Sequence, residues 1–355
     1  MIRWKMALAA AALAWAQPAT AQDTISLKVI SGYPLRASWL QAFNETFIPT
    51  VDEILARTGR YRIAWNEAYG GKEVQPGAEL EGVRSGLGDA GLVFTAFHPD
   101  KLPLHKLTFV ARFVTDDMDL MLRTMNDLER SEPAFQQLWQ EVNLTNLVVI
   151  GSSSQYFILS RQSLHTLADL KGKLIVGTLP TLGAIHASGA TAQLTRDVRT
   201  IYSTLMADKA DGVMFWGNSI RPFNLCKAAP YILDTGFGPD QGNAITFNRD
   251  AWLNLPDEVR LALLAAAPGY SEANTALLTR ETKTALNLCS SEHSAKPHRI
   301  SEEGKRAWAM AMDNEAVKWA DDLEKGGIPA KTILTRYMDA MRAANQPIAR
   351  HWDRE

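Results

Sequence analysis

The fold is decided by the stretch SLKVISGYPLRASWLQAFNETFIPTVDEILARTGRYRIAW, residues 26–65. Residues 26–30 alternate after a polar start, and residues 61–65 have the composition of a second strand. Between them, apolar residues recur at helical spacing from Trp39 to Thr58, and Gly59 ends the run. A strand, a helix and a second strand in succession predict a parallel α/β sheet.

The same succession continues along the chain. We predict further strands at 91–94, 146–150, 156–160, 174–176, 212–216, 232–233 and 244–247, and helices at 77–85, 184–188 and 198–207. From Pro256 onward the pattern is almost wholly helical, with helices at 261–289, 301–325 and 330–343. We therefore predict two α/β lobes and a helical C-terminal tail. Ligands bind outside the carboxyl ends of parallel strands, so we expect a site in a cleft between the lobes.

The N-terminus has the pattern of a secretory signal peptide. Arg3 and Lys5 precede an apolar run from Met6 to Trp15, and alanines at 19 and 21 give an A-x-A cleavage pattern. The run is too short to span a bilayer. We predict that residues 1–21 are removed before Gln22 and that the protein works in the periplasm.

Length and composition limit the class of protein. The chain has 355 residues, of which 46% are hydrophobic and 21% charged, as is usual for a folded soluble protein of about two domains. Its net charge is −2, so nothing favours nucleic acid or an anionic membrane surface as a partner. Its two cysteines, Cys226 and Cys289, are predicted to form a disulfide in an oxidising compartment; two separate buried thiols are the alternative.

The motifs of common enzymes are missing from the sequence. Ser152-Ser153-Ser154 lies in no G-x-S-x-G elbow, the seven histidines show no metal-ligand spacing, and Gly70-Gly71 is a turn rather than a phosphate-binding loop. We therefore predict a protein that is not an enzyme and uses no cofactor or metal. An exported hydrolase is a remote alternative.

Four segments resemble a known family, the DctP-like extracytoplasmic solute-binding proteins of TRAP transporters. They match the family's glycine pair with E-x-x-E-x-v helix and G-x-x-D turn, its proline–leucine segment, its D-L-K-G signature and its later helix ending in D-G. In this chain they are Gly70-Gly71 with PGAELEGVRSG (76–86) and DAG (89–91), LPL (102–104) with LTF (107–109), LADLKGKL (167–174), and residues 198–212.

The resemblance implies a two-lobed periplasmic binding protein of type II-like fold, with a long helix that spans both lobes. We assign residues 22–148 plus about 235–270 to lobe I, and 149–234 plus about 271–355 to lobe II. It implies capture of a small-molecule solute in the cleft and delivery to the membrane permease subunits of a TRAP transporter. We expect a monomer. A binding protein of an ABC importer and the ligand domain of a sensor are alternatives of the same fold.

Two arginines that bind the substrate carboxylate in many members of this family have no counterpart here. Counted from Asp169, the first position falls on Val176 and the second on Gln155, beside Tyr156. Because Arg binds a carboxylate through two parallel hydrogen bonds, its loss argues against a dicarboxylate. We expect an aromatic or weakly charged carboxylate instead.

The candidate ligand-binding residues follow predicted strands or occupy the positions of the family's arginines. Arg36 is the candidate replacement for the lost cation and Trp216 the candidate flat wall; a solvated arginine and a core tryptophan are the alternatives. Glu67 offers a hydrogen-bond acceptor, with an exposed turn carboxylate as its alternative. The full set is Arg36, Trp39, Glu67, Phe94, Thr95, Gln155, Tyr156, Val176, Trp216 and Asn218.

Overall fold

The computed structural model describes residues 22–195 and 197–355. The predicted signal peptide, residues 1–21, lies outside the described residues. Within the described ranges, no helix has both the length and the apolar character that a membrane span requires.

The strands form two sheets. The first sheet has the order β2-β1-β3-β10-β4, and the second has the order β11-β9-β5-β8-β6-β7. The bounds are β1 Asp23–Ile30, β2 Tyr61–Ala68, β3 Ala90–Phe94, β4 Leu144–Ser153, β5 Tyr156–Ser160, β6 Leu174–Gly177, β7 Thr191–Leu194, β8 Gly212–Trp216, β9 Tyr231–Asp234, β10 Asp240–Asn248 and β11 Lys296–Arg299. We call the first sheet with its helices the first lobe, and the second sheet with its helices the second lobe.

The α-helices surround both sheets. Their bounds are α1 Ser38–Ala42, α2 Ile48–Ala56, α3 Glu79–Arg84, α4 Leu107–Val110, α5 Met118–Ser131, α6 Pro133–Glu141, α7 Leu182–Ala187, α8 Ile201–Met206, α9 Leu225–Ala228, α10 Arg249–Asn254, α11 Asp257–His293, α12 Glu302–Ala311, α13 Glu315–Lys325 and α14 Ala330–Ala343. Short 3-10 turns connect several of them.

The predicted parallel pairing is present, as between β1, β2 and β3, but each sheet is mixed. β10 pairs antiparallel with both β3 and β4, and β5 pairs antiparallel with both β8 and β9. Four of these six strands, β4, β5, β9 and β10, flank the two segments that cross between the sheets. A chain that leaves one sheet and continues into the other enters it in the opposite direction, and the local apolar pattern contains no information on that direction.

The two crossings fix how the sheets face each other. β4 is antiparallel to β10, which is antiparallel to β3, so β4 ends at Ser153 on the carboxyl edge of the first sheet. β5 begins at Tyr156, which pairs with Trp216 at the carboxyl end of β8. The return crossing leaves β9 at Asp234 and enters β10 at Asp240, the partner of Ser153. Both crossings therefore join the carboxyl edge of one sheet to the carboxyl edge of the other.

The long helix α11 crosses from one lobe to the other, as the sequence predicted in outline. Near its middle, Tyr270 donates to the carbonyl of Trp39 at 3.1 Å, and Asn274 donates to the carbonyl of Gly151 at 3.0 Å. Further along, Cys289 is joined to α9 by a disulfide to Cys226, with 5.5 Å between the two Cα atoms. The helix therefore packs on the first lobe before it is bonded to the second.

The C-terminal helices contact both lobes. Trp308 of α12 donates its indole N–H to the carbonyl of Ala184 in the second lobe, and Trp319 of α13 donates to the carbonyl of Pro103 in the first. Trp352 near the C-terminus is fully buried and donates to the carbonyl of Arg112. The assignment of residues 22–148 plus 235–270 and 149–234 plus 271–355 to separate lobes stays a prediction. In the last of these segments, 271–355, the contacts above reach both lobes.

Some local elements differ from their predictions. The predicted helix from 39 to 58 forms as α1 and α2 joined by a π-helical turn, Phe43–Phe47, in which Ile48 donates to the carbonyl of Phe43 five residues earlier. Pro49 has no N–H for the normal pairing. The predicted helix 301–325 is two helices, because Asn314 caps a new one by accepting from the N–H of Val317 at 3.0 Å.

Candidate functional site: the cleft between the lobes

The sheet orders determine which loops lie nearest the crossings. Counted outward from the crossing strands, the first sheet presents β3, β1 and β2, and the second presents β8, β6 and β7. The loops after β3 and β8 are therefore the ones nearest the crossings in their own sheets, and the loops after β1 and β6 come next outward. Predicted ligand-binding residues from distant parts of the chain thus lie at the carboxyl edges of the two sheets.

Aromatic side chains form the first-lobe wall of this cleft. The Trp39 ring is 5.2 Å from Tyr33 and 5.0 Å from Phe94, measured between centroids, and both contacts are edge-to-face. Phe97 stacks on Phe94 at 5.2 Å and leaves 57% of its own surface exposed. The wall therefore presents an open ring face, which is where an apolar or aromatic solute gains most from burial.

A buried carboxylate fixes the loop that carries this wall. Glu79 of α3 accepts from the N–H of Gly32 at 3.0 Å and from the N–H of Gly77 at 2.8 Å. Gly32 is required because a Cβ there would lie 2.2 Å from the backbone nitrogen of Pro76. Burial, and then the Glu79 carboxylate, raise the pKa of Tyr33 to about 12, so its hydroxyl is protonated at neutral pH.

The second-lobe wall is formed by the end of β8. Trp216 is half-buried, and its indole N–H donates to the hydroxyl of Tyr156 at 2.8 Å. Asn218 follows in a short 3-10 turn, and its buried Oδ1 has no hydrogen-bond partner among the described residues. An indole face and an amide thus stand at the carboxyl end of β8, the edge of the second sheet that the crossings join to the first.

A buried polar network connects the two crossings behind Trp216. Tyr156 donates its hydroxyl to Oδ2 of Asp240 at 2.5 Å, and Ser152 donates to Oδ1 of the same carboxylate. The guanidinium of Arg112 lies 3.5 Å from Asp240 and 5.2 Å from the centroid of the Tyr156 ring. Arg112 and Asp240 are at most 1% exposed, so each compensates the charge of the other where water does not.

Other candidates lie outside the ring-lined part of the cleft. Val176 is 1% exposed in the core of the second lobe, and Thr95 is buried, with its hydroxyl 3.0 Å from the amide nitrogen of Gln241. Arg36 is exposed in the loop after β1. Glu67 is also exposed, at the end of β2, where it accepts a hydrogen bond from Asn44.

Gln155 lines a groove beside the crossings, and the aromatic residues of the first-lobe wall are not among the residues that line it. Its side chain donates to Asp116 at 3.3 Å and accepts from the N–H of Gly238 at 3.1 Å. The groove has a volume of about 500 Å³ and contains an ion-pair cluster in which Arg299 of the second lobe binds both Asp234 and Asp116. The side chain of Gln155 therefore bonds to Asp116 and to the return crossing at Gly238, and not to the aromatic walls.

One carboxylate of α11 faces the loop after β1. Glu281 accepts a hydrogen bond from the hydroxyl of Ser38 at 2.7 Å. Burial raises the pKa of Glu281, and the hydrogen bond from Ser38 partly opposes this rise. The spanning helix therefore contributes a hydrogen-bond acceptor beside the first-lobe wall.

Comparison with known families decides the class of the protein. The model of the DctP family, bacterial extracellular solute-binding protein family 7, matches residues 36–322. The chain belongs to the DctP family. The membership predicted from the four segments is confirmed, and so is the two-lobed α/β fold.

Solved structures of other solute-binding proteins share this fold. A TRAP periplasmic solute-binding protein from Desulfovibrio salexigens, an open complex, superposes with a TM-score of 0.79 at 18% identity, covering 90% of this chain and 96% of that one. A TRAP solute-binding protein from Rhodoferax ferrireducens in complex with copurified benzoate gives 0.71 at 13%, covering 90% and 98%. A Bordetella pertussis extracytoplasmic solute receptor that binds pyroglutamic acid gives 0.69 at 14%, covering 90% and 100%.

This DctP-family chain contains site features that sequence reasoning missed. Arg112 stands in the apolar stretch LTFVARFV (107–114), and a lone cation in such a run signals a buried charge. Asp240 follows the turn GFGP (236–239) and begins β10, and the local sequence does not show which side chains it contacts. Phe97 and Tyr33 carry no signal in the sequence, because each is a single aromatic residue outside the predicted strands. Both contact Phe94 only because distant parts of the chain come together in the fold.

The described residues contain no group of three or more His, Cys, Asp or Glu side chains arranged to hold a metal ion. Around the cleft, the side chains supply aromatic ring surfaces, the Asn218 amide, hydroxyl groups and, as an acceptor, the Glu281 carboxylate. Reversible binding of an organic solute is the chemistry that such a set supports.

Proposed function

We propose that this protein is the periplasmic receptor of a TRAP transporter and captures a small aromatic or weakly charged carboxylate. The observation that carries the proposal is the pair of ring surfaces at the carboxyl edges of the two sheets, Phe94 with Phe97 in the first lobe and Trp216 in the second. Closure of the lobes places a planar solute between them. The receptor then delivers the solute, unaltered, to the membrane permease subunits.

The charges around the cleft support the proposed substrate class. The positions of the family's two anchoring arginines hold Gln155 and Val176, and neither side chain offers a cation. Arg112 is already compensated by Asp240. Arg36 at the rim supplies one exposed cation, which suits one carboxylate at the edge of a planar body better than two at opposite ends.

Closure needs contacts that only the closed form makes. A ligand shifts the two states of a hinged receptor only by the difference between its affinities for them. A planar solute that touches Phe97 in one lobe and Trp216 in the other has that difference. The copurified benzoate of the Rhodoferax protein is consistent with such a ligand in this fold.

The first experiment identifies what the protein carries. The full chain is expressed with export, purified without added solute and analysed by mass spectrometry after denaturation. We expect one small organic acid with an aromatic or unsaturated ring, recovered unmodified after incubation. Recovery of a dicarboxylate, or conversion of the solute into a product, would contradict the proposal.

The second experiment tests the two walls. Thermal shifts are measured with benzoate, a hydroxybenzoate, succinate and malate on the wild type, Phe97→Ala and Trp216→Ala, with Phe97→Leu as the matched apolar control. Removal of either ring should weaken binding of the aromatic acids by about 1.5–3 kcal/mol, roughly tenfold to a hundredfold in Kd. Phe97→Leu should have a smaller effect. A large shift with succinate or malate alone would refute the ligand class.

A further inference from the structure

The hydrogen-bond donor of Trp216 is already used inside the protein. Its indole N–H points to the hydroxyl oxygen of Tyr156 at 2.8 Å. An indole has this single donor. Trp216 can therefore offer a solute its ring face but no hydrogen bond, so long as the contact with Tyr156 holds.

Tyr156 is itself fixed from several directions. Its hydroxyl donates to Asp240 at 2.5 Å, and its ring lies 5.3 Å from the Phe237 ring and 5.2 Å below the guanidinium of Arg112. Its carbonyl accepts from the hydroxyl of Thr235 at 2.8 Å. The side chain is 1% exposed, so the surrounding atoms leave it one orientation.

Tyr156 links the two crossings through its hydrogen bond to Asp240. It begins β5, directly after the crossing from the first lobe, whereas Asp240 begins β10, directly after the return crossing. The hydrogen bond between them ties one crossing to the other. The plane of the Trp216 ring is thus defined relative to both hinge segments, and not only to its own lobe.

We infer that Tyr156 is a positioning residue, which holds the Trp216 ring as a rigid, donor-free wall and so selects solutes that present a planar apolar face at this point. The inference rests on the proposed function for its ligand class. Burial, and then the Asp240 carboxylate, raise the pKa of Tyr156, so its hydroxyl stays protonated and keeps donating at neutral pH.

The indole N–H signals of ¹⁵N-labelled protein test the contact without any ligand. Trp216→Phe identifies the Trp216 signal. In Tyr156→Phe we expect that signal to move and its exchange with deuterium to accelerate by about tenfold, the factor for loss of one good hydrogen bond. Ser152→Ala is the matched control, because it removes another hydroxyl that donates to Asp240 but touches no part of Trp216. It should leave the signal in place.

An unchanged signal in Tyr156→Phe, or an equal change in Ser152→Ala, would overturn the inference. Asp240→Asn gives a second route if Tyr156→Phe does not fold: it weakens the acceptor that orients Tyr156, and the same signal should shift in that variant. If the signal does not shift in Asp240→Asn, this counts against the proposed chain of hydrogen bonds from Asp240 through Tyr156 to Trp216.

A binding measurement separates this inference from the proposed function. Calorimetric titration with benzoate should show a Kd that rises about fivefold to tenfold in Tyr156→Phe and stays within about twofold in Ser152→Ala. If the wild type fails to bind benzoate, the proposed ligand class loses support, while the indole signals still decide the role of Tyr156. Equal affinities of wild type and Tyr156→Phe would overturn the positioning role.

Discussion

The disulfide between Cys226 and Cys289 gives the prediction that is easiest to quantify. The two residues are separated by 63 positions, and the bond joins α9 to the far end of the spanning helix α11. In the chain-entropy treatment, closing a loop of this length removes enough freedom from the unfolded chain to stabilise the protein by about 4 kcal/mol at 25 °C. Typical proteins are stable by only about 5–15 kcal/mol. The bond should therefore supply a large share of the total.

The assay is urea unfolding followed by circular dichroism, on the wild type with and without dithiothreitol and on the double variant Cys226→Ala/Cys289→Ala. We expect the free energy of unfolding to fall by about 4 kcal/mol on reduction, and by somewhat more in the double variant, which also leaves a cavity in the core of the second lobe. Dithiothreitol should have no effect on the double variant, because its target is gone.

The same bond should resist reduction until the protein opens. Both cysteines are 4% exposed, so a thiol in solution cannot reach the sulfur atoms while the second lobe stays folded. Reduction in the absence of urea should be slow, and it should accelerate with urea below the unfolding midpoint. A stability loss below about 1 kcal/mol on reduction would refute the loop-closure reasoning.

Three further predictions concern other parts of the structure. Burial raises the pKa of Glu281, so the wild type should lose stability as pH rises through that raised pKa, whereas Glu281→Gln, which keeps the acceptor for Ser38, should show a flatter Tm between pH 4 and 7. Gly32→Ala should destabilise the protein by at least about 1–3 kcal/mol, because the new Cβ would lie 2.2 Å from a backbone atom. Gly269→Ala, in open space on α11, should stabilise it by roughly 1 kcal/mol. Calorimetry of the two variants compares them. Arg112→Met should lower the free energy of unfolding by about 3–5 kcal/mol, since it leaves a buried carboxylate without its cation, and a loss typical of a surface residue would contradict the assigned burial.

Much of the architecture was predictable from local pattern. Strand and helix periods, turn glycines and the signature segments are properties of short windows, so β1, β2, β8 and α11 could be located from the sequence. β7 and β11 could not, because each is only four residues long and mostly exposed, TAQL being too short for a reliable alternation and KPHR having none. The disulfide expected from two cysteines in an exported chain is present, and the structure excludes the alternative of two separate thiols.

The candidate site was predictable only in part. The loops after β1, β3 and β8 were identified because strand ends are readable; Phe94 and Trp216 end β3 and β8, and Trp39 lies in α1 directly after the loop that follows β1. The orientation of Gln155 towards Asp116, and the position of Val176 in the core, were not readable. A motif locates a residue along the chain. The direction of its side chain depends on how other segments of the protein pack around it.

The sequence by itself determined the family, the two-lobed class and the absence of arginine at the two anchoring positions, because each depends on residue type and order along the chain. The tertiary structure alone decided that both sheets are mixed, that Arg112 meets Asp240, and that Tyr156 occupies the donor of Trp216. These contacts join segments that lie far apart in sequence. They exist only because two crossing strands bring the carboxyl edges of both sheets to one hinge, and no local periodicity encodes that meeting.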